Sequence, residues 1–266
     1  MQIVLYDPHG KYDYSRRWAQ QFQQADAGNR SIAPVNGNTA SDVVDSIRAA
    51  AKAAHGGGTV IFGLGHGGTT DASQGFADLA PNKIFRIGRT FGGNNYVDVF
   101  YDFDMQDSNV IGGSQMARDD ALWDEVDGFS TAEGKTKLRN KFKTNPQLIP
   151  QYVNQQKAKK PAAIARRGAW LNYKKIGLTL RDNGVNLVVF MTCNVGSSDI
   201  FIRKIANDWK TKVRAYRKFL WYGGTPVNNR VRVFLDGDPG GYNVSQETDP
   251  PSDPANFYTA GPSGTP

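Results

Sequence analysis

The chain has one cysteine, Cys193, and three histidines, His9, His55 and His66, in 266 residues. A single cysteine excludes an intrachain disulfide framework, and so few histidines leave a zinc centre poorly supplied. No apolar run approaches the length that crosses a bilayer. The first residues lack the basic start and long apolar stretch of a secretory leader. These absences point to a non-membrane protein, expected in the cytoplasm or exported without a classical signal peptide. No resident cofactor is expected. With 39% hydrophobic and 21% charged residues, the chain has the composition of a globular protein.

Charge is present but segregated. Residues 97–134 hold ten acidic side chains and one basic one, Arg118, whereas residues 135–181 hold thirteen basic ones and no acidic one. Such blocks either pair with each other or offer a face to an acidic partner or anionic regulator.

Apolar runs and helical spacing alternate along most of the chain. Residues 2–7 read as a buried strand, closed by the turn signal Asp7-Pro8-His9-Gly10. Tyr14, Trp18, Phe22 and Ala25 then share one helix face. A short strand over 30–35 and a helix carrying Val43, Val44, Ile47, Ala50 and Ala51 come next. The apolar run 59–65 leads to His66. Residues 69–150, rich in Gly, Asp and Asn, read as a long insertion with some local structure. Ala162, Ala165, Ala169, Tyr173, Ile176 and Leu180 trace another helix, and the run 185–192 leads to Cys193. A helix from about Ser198 and strands at 219–222 and 231–235 follow. The Pro-rich residues 241–266 read as an extended or disordered tail.

This alternation predicts an α/β fold: a three-layer sandwich with a mainly parallel central sheet, helices on both faces and the long insertion. The predicted domain covers residues 1–240. Parallel strands end at a common edge, where such sheets bind ligands. A histidine after one strand and a cysteine after another supply a base and a nucleophile there. Gly67 and Gly68 allow a substrate carbonyl close to the backbone. A turn through Gly196 would place Cys193 before a helix N-terminus, which lowers a thiol pKa. A lone cysteine after a strand is also what a small buried hydrophobe looks like.

The pattern of an apolar strand, His66-Gly67, a later apolar strand, and Cys193 with a following glycine resembles the caspase-like cysteine peptidases of clan CD. The resemblance covers about residues 1–70 and 160–236. It implies a cysteine endopeptidase acting on protein or peptide substrates, such as a bacterial effector, a toxin or a self-processing protease. His66 would be the catalytic histidine and Cys193 the nucleophile. The backbone N–H groups of Gly67 and Cys193 would bind the oxyanion.

Five residues are weaker candidates for contact with substrate. His9 ends the first strand, Asp71 follows His66, Trp221 and Tyr222 lie in a late strand, and Asp236 follows the last one. Asp102, Asp104 and Asp107 could meet a hard cation, but they lack the glycine and terminal glutamate of a calcium loop, so no metal is expected. The alternative reading is a non-catalytic module that holds an anion or nucleic acid on the basic 135–181 stretch.

Overall fold

A computed structural model describes residues 1–6, 8, 14–35, 40–63, 66–67, 85–88, 96–100, 113–191, 193, 195–197, 199–218, 220–224, 231–235 and 256–263. The chain divides into two compact units. One is formed by Met1–Asp102 with Asn172–Pro266, the other by Phe103–Leu171.

In the first unit, β1 (Gln2–Tyr6), β2 (Arg30–Pro34), β3 (Thr59–Phe62), β7 (Leu187–Phe190), β8 (Lys212–Tyr216) and β11 (Phe257–Ala260) form one sheet. Its order is β11-β8-β7-β3-β1-β2. The pairs β1–β2, β1–β3, β3–β7 and β7–β8 are parallel, and β11 closes the edge antiparallel to β8. The central strands β1, β3 and β7 are short, nearly continuous apolar runs because both faces are covered. Alternate residues point to opposite faces. On one face Val4, Ile61, Val189 and Met191 pack with Trp18, Ala19 and Phe22 of α1 (Tyr14–Ala25). On the other, Phe62 stacks on Phe190 with ring centres 5.0 Å apart. Phe190 meets Trp209 of α6 (Asp199–Trp209), and Trp209 meets Tyr173. The expected three-layer α/β architecture is therefore the one observed. Helix α2 (Ala40–Ala53) buries Val43, Val44, Ile47, Ala50 and Ala51, the apolar face read from its spacing.

Two small sheets accompany the large one. Strands β4 (His66–Gly67), β5 (Phe85–Gly88) and β6 (Tyr96–Phe100) form an antiparallel meander. Strands β9 (Leu220–Gly224) and β10 (Val231–Leu235) form an antiparallel pair beside α1.

The second unit is helical and overlaps the 69–150 segment that the sequence suggested was an insertion with some local structure. It contains α3 (Gly113–Gly128), α4 (Ala132–Lys141) and most of α5 (Ile149–Asp182). Thr131 caps α4, its hydroxyl accepting from the Gly134 N–H at 3.0 Å. α5 starts well before Ala162, where the sequence placed its beginning. Pro161 lies inside the helix, where it removes one backbone hydrogen bond without ending the element. Part of the expected tail is also ordered: Phe257–Ala260 is the sheet's sixth strand.

Candidate active site

The site rests on the pairing of β3 with β7. Phe62 lies opposite Phe190, and the Met191 N–H continues the ladder to the Phe62 carbonyl at 3.0 Å. On the other side of β3, the Gly63 N–H donates to the Leu5 carbonyl at 2.9 Å. The carboxyl ends of β1, β3 and β7 thus share one edge. β1 leads away to β2 and β3 towards β7, so the order reverses between β1 and β3. Doubly wound sheets open a crevice at such a point.

The segments carrying His66 and Cys193 leave adjacent strands at this edge. Gly63 keeps its strand end close to the core: a Cβ there would lie 2.8 Å from the Trp18 ring. His66 and Gly67 then form β4, opposite Arg86 and Phe85 of β5. The sequence placed them at a strand end and did not reveal this second pairing. The side chain of His66 lies outside the described residues.

Cys193 follows β7 and precedes a 3₁₀ turn, Val195–Ser197. The turn presses on β8, because a Cβ at Gly196 would lie 2.2 Å from the Ala215 carbonyl oxygen. Gly196 therefore has the close-approach role read from the sequence. The Cys193 thiol packs against the core cluster and is gripped by one residue of β9. Its Sγ–H donates to the Leu220 carbonyl at 3.1 Å, and the Leu220 N–H donates back to Sγ at 3.3 Å.

Burial raises the Cys193 pKa. The N–H groups of Leu220 and of Cys193 itself pull it down without offsetting that effect. This corrects the expectation of a thiol acidified by a helix N-terminus. The 3₁₀ turn stands between Cys193 and α6, and a helix dipole fades within its first turn. What the head of α6 does hold is an ion pair, Asp199 with Arg217 at 2.9 Å.

Trp221 and Tyr222 have their backbone in β9, opposite Phe234 and Val233, in the strand that begins at Leu220. Their side chains lie outside the described residues. So do His9, Asp71 and Asp236, and Asp102, Asp104 and Asp107 of the cation reading. Among the described residues, no three carboxylate, histidine or cysteine side chains come together to hold a metal ion. No described helix is long and apolar enough to cross a membrane.

Comparison with protein-family models, with curated proteins and with solved structures finds no match.

Most of the basic stretch, up to Leu171, lies in the second unit. Much of it pairs with the acidic block before it. Arg166 donates through Nε and Nη2 to both carboxylate oxygens of Asp119, each at 2.7 Å, and Arg167 meets Asp120 at 3.0 Å. Lys160 pairs with Asp127, and Tyr152 donates to Glu125 at 2.7 Å while Lys141 lies 3.6 Å from the same carboxylate. The Trp123 ring has Lys160 and Arg167 at 5.3 and 5.1 Å from its centre. α3 thus uses its carboxylates to bind neighbouring helices. That accounts for the weak apolar periodicity which hid it in the sequence.

Leu220, which hydrogen-bonds the thiol, was not singled out by sequence reasoning. Its contacts are made by backbone groups, which leave no mark on residue type. The neighbouring Trp221-Tyr222 pair was the nearest available signal.

Proposed function

We propose that the chain is a caspase-like cysteine endopeptidase, cutting its own chain or another protein through Cys193 and His66. The observation that carries this reading is the parallel pairing of β3 with β7. It brings the segments of the only cysteine and of His66 out of adjacent strand ends, at the edge where α/β sheets bind ligands. A sole catalytic thiol also suits a compartment that keeps thiols reduced.

The raised thiol pKa shapes the mechanism. In the free protein the proton stays on sulfur, so the nucleophile has to be generated when substrate binds. The His66 imidazole takes the Sγ proton as sulfur attacks the peptide carbonyl carbon. The N–H groups of Gly67 and Cys193 donate to the oxyanion. The C–N bond then breaks, His66 gives its proton to the departing amine, and a thioester remains on Cys193. His66 next takes a proton from water, the hydroxide displaces sulfur, and the thiol is restored as the carboxylate product leaves. Trp221 and Tyr222, with His9, Asp71 and Asp236, are the residues proposed to meet the peptide.

The test is cleavage of a mixed fluorogenic peptide library by the full chain and by Cys193→Ala. Cleavage that disappears in the variant, with its thermal melt preserved, supports the reading. Cleavage that survives in Cys193→Ala ends it.

A further inference from the structure

Part of the basic block is left over once the carboxylates of α3 are taken up. Lys135 and Arg139 lie one turn apart on α4, and Lys143 follows at the same spacing, just beyond the C-cap Phe142. Residues four apart on a helix are neighbours, so Lys135 and Arg139 lie about 6 Å apart along α4, while Lys143 stands in the turn after Phe142, whose φ of −111° and ψ of 31° end the helix. All three side chains are exposed, and none has an ion-pair or hydrogen-bond partner among the described residues. Their neighbours differ: Lys137 pairs with Glu133, and Lys141 with Glu125 and Tyr152. Arg139, in the last turn, also favours the carbonyl end of the helix. That explains one cation and not a row that continues past the cap.

We propose that the row Lys135, Arg139 and Lys143 docks the phosphate backbone of duplex nucleic acid. A compact anion would engage only part of this set, whereas a polyanion that runs along the end of α4 and the turn beyond it engages all three cations. The rings beside the row are already occupied. Phe142 and Tyr152 pack with centres 5.1 Å apart, and Lys141 covers Tyr152 at 4.0 Å. Single strands are held largely by stacking on such rings, so a backbone-only surface favours the duplex and reads no sequence.

The experiment is anisotropy of a fluorescein-labelled 20-base-pair duplex of arbitrary sequence with the full chain, between about 50 and 200 mM KCl. Three phosphate contacts give a log–log slope near −2.7, a loss of about 40-fold across that range. The triple variant K135A/R139A/K143A should lose most of the binding and its salt dependence. Each single substitution should flatten the slope by about 0.9, and these stand in if the triple variant melts early. Lys52→Ala, an exposed lysine on α2, should change neither. A triple variant with unaltered slope would overturn the proposal. Displacement by poly-glutamate as effective as by unlabelled duplex would overturn the choice of nucleic acid. Cys193→Ala should bind like the parent, so this result and the peptidase result stand or fall separately.

Discussion

The sulfur of Cys193 sits against both backbone groups of Leu220, donating its proton to the carbonyl at 3.1 Å and accepting from the N–H at 3.3 Å. The two contacts favour different protonation states. The carbonyl favours the thiol and would repel a thiolate, whereas the N–H favours the thiolate. Burial decides between them and holds the thiol.

Alkylation of Cys193 by iodoacetamide should therefore be slow at pH 7 and rise only as pH passes the ordinary thiol range. The same shift makes stability depend on pH. A folded pKa above the unfolded one, about 8.5 for a free thiol, stabilises the fold below that value. The contribution is lost as pH climbs through the higher folded value. Urea melts at pH 8 and pH 10 should show a fall in stability that is smaller in Cys193→Ala. An equal fall in both proteins would mean that Cys193 is not the group responsible.

His66→Ala should lower kcat/KM by roughly 10²- to 10⁴-fold, the usual range for losing a general acid–base group. Cys193→Ala should remove turnover. The pair should be non-additive, since a base has nothing to activate without its nucleophile. Full turnover in His66→Ala would assign the proton transfer elsewhere.

Gly196→Ala puts a Cβ against the Ala215 carbonyl. Overpacking of this kind costs about 1–3 kcal/mol, and the turn that carries Cys193 would have to shift. Chemical denaturation reads the first effect, and the rate of Cys193 labelling reads the second. A variant unchanged in both would show that the turn has room the structure does not show.

Asp119 is buried and meets Arg166 through two hydrogen bonds. Asp119→Ala leaves that guanidinium without its carboxylate, at a cost of roughly 3–5 kcal/mol. Adding Arg166→Met should recover much of the loss. Hydrogen exchange of α3 and of α5 up to Leu171 follows this unit separately from the sheet. If the double variant is as unstable as the sum of the singles, the pair is not coupled.

Elements were legible in the sequence where their side chains face an apolar core. The strands leading to His66 and Cys193 are unbroken apolar runs, and α1, α2 and α6 carry one apolar face each. α3 and α4 were not legible because few of their side chains are buried and apolar, Met116 and Leu138 among them, while ion pairs join them to their neighbours. Asp119, Asp120 and Asp127 of α3 meet Arg166, Arg167 and Lys160. The helix face read from Ala162 to Leu180 was only the C-terminal part of α5, which begins at Ile149 and runs through Pro161.

The sequence by itself determined the α/β class, because alternation of apolar runs with helical spacing admits few other solutions. It also determined that one thiol and few histidines were available for chemistry. Tertiary structure alone decided that β3 pairs with β7 across the long intervening segment, since strand order follows from packing and not from local propensity. It decided as well that the thiol stays protonated at rest. That property belongs to the density of atoms around Sγ and to a backbone carbonyl in β9, and no pattern of residue types near position 193 encodes either.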